Sequence, residues 1–118
     1  MNHLLKIIII NLKKNLINIK IPDDVGFLYD HLDGKRYANA SLSSCKITNI
    51  KELRKYVFMG ETGTSIRICW FNNLGTFISG YLFSASSIPP FTLISPIASS
   101  YAWISFYNTR ESLSIELN

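Results

Sequence analysis

Cysteine is scarce in this chain of 118 residues: Cys45 and Cys69 are the only two. That is too few for a disulfide scaffold, and the spacing contains no CxxC pair. Both read better as buried thiols than as one bridge, because an unbridged cysteine behaves as a small hydrophobe. Histidine is equally rare, with only His3 and His31. A structural zinc site normally draws on four ligands, so no metal or cofactor is expected.

Charge is missing from a long stretch. No Asp, Glu, Lys or Arg occurs from Ile68 to Thr109. Such a stretch exceeds the roughly 20 apolar residues that a membrane-spanning helix needs. It is broken, however, by Asn72, Asn73, Gly75, Gly80, Pro89, Pro90, Pro96 and many serines. It therefore reads as buried strands with their turns, and no membrane partner is expected. A secretion signal is not expected either. Lys6 interrupts the apolar start, the Ile7–Ile10 run ends at Asn11, and no small-x-small cleavage site follows. A cytoplasmic location is the expectation, and the letters Asn39-Ala40-Ser41 then carry no meaning as a glycosylation site.

Nucleophile motifs are absent too. No serine sits in Gly-x-Ser-x-Gly. Gly60-Glu61-Thr62-Gly63-Thr64-Ser65 lacks the Gly-Lys-Ser/Thr ending of a phosphate loop and is read as following a helix rather than opening one. Asp30, His31 and Glu61 could supply an acid and a base, but residues 30, 31 and 33 do not share one side of a helix. The chain is not expected to be an enzyme.

What is present suits one globular domain over 1–118. Hydrophobic residues make up 47%, enough for a core of its own. The net charge is +4. Residues 4–21 fit a helix over about 3–15 followed by a strand over 16–21, with a hairpin as the alternative. Pro22-Asp23-Asp24 resembles a helix start, with Val25, Leu28 and Leu32 at helical spacing. Residues 37–47 read as a strand. Thr48-Asn49 resembles the cap of a helix with Ile50, Leu53, Val57 and Phe58 inside and Gly60 as its stop. Ser65–Phe71 and Thr76–Phe83, joined by Asn72-Asn73-Leu74-Gly75, read as a hairpin. A short strand is expected near Phe91–Ile94, and a second hairpin from Tyr101–Tyr107 and Ser112–Leu117. The sum is an α+β fold: a mostly antiparallel sheet of four to six strands, with two or three helices on one face.

Three groups of residues could form a contact surface. Asp23, Asp24, Asp30 and Asp33 make either a solvated helix end or an acidic docking patch. Tyr101, Trp103 and Tyr107 lie on one side of a strand whose other side, Ala102, Ile104 and Phe106, is aliphatic and aromatic core. Such rings are either covered by another layer or available as anchors for a partner. Lys51, Arg54 and Lys55, with Lys46 near in sequence, could neutralise phosphates. Seventeen Ile and ten Asn suggest AT-rich coding, common in mobile bacterial genes. By that analogy the expectation is a bacterial inhibitor of toxin-immunity or antitoxin type. It would occlude a cognate toxin, with a nuclease as the candidate, as a monomer or small homo-oligomer. The alternative is a small nucleic-acid-binding module using the basic residues.

Overall fold

Strands organise the described part of the chain. A computed structural model describes residues 16–18, 22–60, 65–88, 90–109 and 113–117. Its strands are β1 (Leu16–Asn18), β2 (Asp24–Tyr29), β3 (Arg36–Ile47), β4 (Lys55–Gly60), β5 (Ile66–Phe71), β6 (Phe77–Phe83), β7 (Phe91–Ile94), β8 (Tyr101–Tyr107) and β9 (Leu113–Leu117). No helix occurs among the described residues. The α+β expectation is overturned: the fold is all-β, in two antiparallel sheets. One has the order β1-β9-β4-β7 and the other β2-β3-β8-β5-β6.

Two expected helices fail for separate reasons. Val25, Leu28 and Leu32 do recur at helical spacing, but Gly26 between them takes φ +80°, which no α-helix accommodates. Asp23 and Asp24, read as the start of this helix, instead accept from the Lys46 N–H and from the Arg36 guanidinium. Asp30 and Asp33 cap no helix either. Each carboxylate accepts the backbone N–H two residues on, Leu32 and Lys35, and these Asx turns close a hairpin instead. In the second case Asn49 and Leu53 adopt φ of 59° and 55°, so residues 48–54 are a loop. Tyr56 and Phe58 are buried while Val57 between them is half-buried. The β-branched and aromatic run Tyr56-Val57-Phe58 suits the pleat better than a helix. The helix expected over 3–15 lies outside the described residues.

The strands expected at 37–47 and 91–94, and the hairpin of β5 with β6, are present. Tyr101–Tyr107 and Leu113–Leu117 are also strands, but not a hairpin. β8 pairs with β3 and β5 in one sheet, whereas β9 pairs with β1 and β4 in the other. Both strands are central, and each has a neighbour on either side.

The two sheets face each other across a shared core. Cys45 and Ile47 of β3, Ile66, Ile68 and Trp70 of β5, and Ala102, Ile104 and Phe106 of β8 meet Tyr56, Phe58, Phe91 and Ile115. Aromatic rings join the layers. Tyr56 meets Trp70 at 5.9 Å, Phe58 meets Phe83 at 5.9 Å, and Phe83 stacks on Phe91 at 4.2 Å. Each such side chain contributes about 1.5–3 kcal/mol by leaving water.

The outer face of the five-stranded sheet is covered as well, by its own hairpin. β3 pairs with β8 along Leu42–Ile47, while Arg36–Ala38 pair with Phe27–Tyr29 of β2. The register shifts between Val25 and Phe27, so the distal hairpin bends back over the sheet. Its backbone lies on a path of small residues. Tyr29 N–H donates to Ser105 Oγ at 2.9 Å, and Ser44 Oγ donates to the Phe27 carbonyl at 2.8 Å. Cys69 Sγ donates toward the carbonyls of Tyr29 and Asp30. At Gly80 an added Cβ would stand 2.2 Å from the His31 carbonyl oxygen. Only glycine allows that approach.

Candidate functional site

Three loops meet at one end of the sandwich: residues 48–54 after β3, 72–76 after β5, and 95–100 after β7. Backbone hydrogen bonds tie them together. Ile50 N–H donates to the Ser100 carbonyl, Leu53 N–H to Ser95, Ser95 N–H to Arg54, and Ser100 N–H to Phe71. Ser95 is wholly buried at the centre. Its hydroxyl donates to the Lys51 carbonyl and accepts the Arg54 N–H at 3.1 Å. Glu52 reaches across the gap, and its carboxylate accepts the Ala98 N–H at 2.6 Å. In the remaining turn, Asn72 Oδ1 accepts the N–H groups of Leu74 and Thr76, with Gly75 at φ +82°.

Backbone strain concentrates here. Among the described residues the non-glycine positions with positive φ are Asn49, Leu53 and Ala98, and all three lie in these loops. Asparagine tolerates the left-handed region, but leucine and alanine pay about 1–2 kcal/mol each for it. The hydrogen bonds of Ser95 and Glu52 are what hold these conformations in place. Strain held at one end of a scaffold is a common mark of a working surface.

The loop end so fixed carries exposed apolar side chains with basic ones beside them. Leu53 (63% exposed), Leu74 (85%), Ile94 (64%) and Ile97 (68%) all stand toward solvent at or beside the loops. Lys51, Arg54 and Lys55 are exposed among them, and Lys46 is exposed at the adjoining end of β3. Ile50, Lys51, Glu52, Asn73, Ala98, Ser99 and Ser100 line an open depression of about 430 Å³ between the loops. Loop clusters at the end of a sandwich are a frequent place for binding residues.

The residues singled out in the sequence divide between this end and the hairpin. Lys46, Lys51, Arg54 and Lys55 are exposed at or next to the loop end. Tyr101 joins them: it stacks on Phe71 at 5.1 Å, and Lys46 Nζ sits 4.5 Å above its ring. Trp103 instead stacks on Tyr29 of the hairpin, with centroids 4.2 Å apart. Tyr107 is half-buried at the far end of β8.

The four aspartates serve the hairpin. Asp23 accepts the Lys46 N–H at 2.8 Å. Asp24 makes two hydrogen bonds to the Arg36 guanidinium, at 2.7 and 3.0 Å, and accepts the Tyr29 hydroxyl at 3.0 Å. The Arg36 hydrogen bond holds the Asp24 carboxyl below its ordinary range. Burial, aided by Asp24, pushes the Tyr29 phenol up to about 12. Asp33 accepts the Tyr37 hydroxyl at 2.6 Å. Asp30 closes the turn, and His31 Nδ1 lies 3.7 Å from it. No group of three His, Cys, Asp or Glu among the described residues could hold a metal ion. Glu61 lies outside the described residues. No helix among them is long and apolar enough to cross a membrane.

Leu53, Leu74, Ile97 and Glu52 were not legible as surface residues in the sequence, nor was Ser95 as the buried residue beneath them. One signal did exist. Leu74 stands inside an Asn-Asn-Leu-Gly turn and Ile97 just after Pro96, positions where an apolar side chain has no strand to bury it.

No protein-family model matches the chain, and no curated protein matches it in sequence. Solved structures similar in shape include the following two. One is from the crystal structure of accessory secretory protein 1, 2 and 3 in Streptococcus pneumoniae, with a TM-score of 0.48 and 14% identity over 85% of this chain and 91% of that chain. The other is the enzymatically active domain of tailspike protein 4 from bacteriophage CBA120. Its TM-score is 0.39 at 14% identity, over 86% of this chain and 18% of that chain.

Proposed function

We propose that this chain is a protein-binding β-sandwich that seats a partner on its loop end and performs no bond chemistry itself. The observation that carries the reading is the exposed set Leu53, Leu74 and Ile97 on these hydrogen-bonded loops, two of which hold strained backbone, with Ile94 at the end of β7 beside them. Apolar side chains on a rigid surface bind with little ordering cost. Lys51, Arg54 and Lys55 at the rim favour a partner whose own apolar patch is edged by acids, and they quicken its approach. Within this reading the inhibitor of toxin-immunity type, acting in the cytoplasm, remains the finer proposal. Its support is compositional analogy alone. The aspartates of the hairpin, already engaged with Arg36, Tyr37 and backbone N–H groups, are secondary to the loop end in this scheme.

The test compares the wild-type chain with a Leu53→Asp, Ile97→Asp double variant as baits in extract of the native cell. Both side chains are mostly exposed, so the fold should survive the change. The expected result is a stoichiometric protein held by the wild type and lost from the variant, with unchanged melting temperature. Equal capture by both baits removes the loop end from the reading. The exposed Lys46, Lys51, Arg54 and Lys55 at or next to the loop end, with Lys46 above the Tyr101 ring, favour one alternative, nucleic-acid binding. In that case co-purifying nucleic acid would elute steeply with salt.

A further inference from the structure

Each of the three loops that enclose the depression carries one exposed apolar side chain: Leu53, Leu74 and Ile97. The residues on the walls are their chain neighbours. Lys51 and Glu52 precede Leu53, Asn73 precedes Leu74, and Ala98 follows Ile97. A partner seated across all three apolar side chains lies over the depression and closes it to water. Contacts that exclude water around a polar centre are what make that centre count in an interface.

Most polar groups on the walls are already engaged within the chain. Glu52 accepts the Ala98 N–H, and Ser99 Oγ donates to the Pro96 carbonyl. The N–H groups of Ile50, Lys51, Ser99 and Ser100 are bonded as well. The Lys51 ammonium, the Asn73 amide and the Ser100 hydroxyl differ. None of them has a hydrogen bond or an ion pair among the described residues. All three can donate, and one is a cation. An apolar group pressed into the closed depression would leave these donors dry and unpaired, which is unfavourable. A carboxylate accepts from them. Glu52 is the one acid in the three loops, against Lys51 and Arg54, so the end is basic on balance.

We infer that the depression receives an acidic side chain of a protein partner, paired with Lys51 and hydrogen-bonded by Asn73 and Ser100. The inference rests on the reading that a protein seats on the loop end, and it names the group that enters. A protein fits better than a nucleic acid. A phosphate backbone brings the anion but no apolar surface for Leu53, Leu74 and Ile97, and without that cover the depression stays open to water. In water a single exposed ion pair contributes little. Under the cover of three apolar contacts the same pair decides which partner is accepted.

The probe is a phage-displayed library of random peptides, selected on the immobilised full chain. The wild type should enrich peptides with Asp or Glu beside apolar residues. Lys51→Glu should enrich Lys or Arg in place of that acid. The Leu53→Asp, Ile97→Asp variant should enrich neither. Titrated with one peptide enriched on the wild type, Lys51→Gln should weaken binding about tenfold or more, and Asn73→Ala about fivefold. Glu52→Gln keeps an acceptor for the Ala98 N–H and removes the opposing charge, so it should bind at least as tightly as the wild type. Lys51, Glu52 and Asn73 are exposed, so melting temperatures should match. Enriched peptides without an acid, or an acid retained with Lys51→Glu, overturn the inference and leave the loop end as a seat. Weaker binding with Glu52→Gln but not with Lys51→Gln means that a cation enters, and overturns it too. So does tighter binding of single-stranded DNA than of any enriched peptide. Peptides that bind the Leu53→Asp, Ile97→Asp variant as well as the wild type remove the loop-end reading itself, and no enrichment on the wild type removes both.

Discussion

Gly80 shows how one absent side chain fixes a large feature. The distal hairpin crosses the outer face of the five-stranded sheet only because the residues beneath it are small: Ser44, Ser105, Cys69 and Gly80. A methyl group at Gly80 would fall 2.2 Å from the His31 carbonyl oxygen and 2.7 Å from its Cα. Both are backbone atoms, so no side chain can swing away to make room. We expect Gly80→Ala to destabilise the chain by about 2 kcal/mol or more, in the range of overpacked interiors. The loss should be local to the hairpin. Trp103 stacks on Tyr29 in the native chain, and its fluorescence should shift to the red as that contact opens. A variant with the wild-type denaturation midpoint and an unshifted Trp103 spectrum would show that the hairpin does not lie on Gly80.

At the scale of elements, the strands of the C-terminal half were readable and the hairpin and loops were not. Ala102, Ile104 and Phe106 alternate against Tyr101, Trp103 and Tyr107, and a period of two has no helical counterpart. Ile50, Leu53 and Val57 also match a helix by spacing. What excludes the helix is the left-handed backbone at Asn49 and Leu53 and the pairing of β4 with β9 and β7, partners about 60 and 35 residues away in the chain. Pairing at that distance leaves no local mark. Nor do letters distinguish an aspartate that caps a helix from one that closes an Asx turn. The candidate surface was half legible. Lys51, Arg54 and Lys55 could be grouped by spacing, whereas the exposure of Leu53 and Ile97 depends on where three separate loops converge. Ser95 is the residue that makes them converge. Ser95→Ala removes the hydroxyl that donates to the Lys51 carbonyl and accepts the Arg54 N–H. A buried lost hydrogen bond of this kind costs about 1–3 kcal/mol. Its mark should be faster hydrogen exchange at residues 50–54, with β5 and β8 protected as before. Uniform loss of protection through both sheets would mean that Ser95 supports the core and not the loops.

For the whole molecule, two thiols report on two different layers. Cys45 belongs to the core between the sheets, while Cys69 lies between the five-stranded sheet and its hairpin. They sit on opposite faces of one sheet, and neither is in a disulfide. Burial raises the Cys45 thiol to about 11 from an ordinary 9.0. It raises Cys69 to about 12, with Asp30 and Asp33 adding to the shift. Groups whose folded values are raised hold their protons more tightly in the folded chain. Their contribution is therefore complete below pH 9.0, where the thiols of the unfolded chain are still protonated. Above that pH the unfolded chain releases protons that the folded chain keeps, and stability falls until the folded thiols ionise too. At pH 10 the loss should be on the order of 1 kcal/mol for each thiol. Urea midpoints at pH 7 and pH 10 measure it, with Cys45→Ala, Cys69→Ala as the reference that removes both thiols and subtracts the titration of Lys and Tyr. The wild type should lose more on going to pH 10 than the double variant does. Cys69→Ala alone should restore part of the difference, along with the hairpin's share of it. Equal losses in all three chains would mean that the thiols are not shielded, and that the hairpin does not close over the outer face of the sheet.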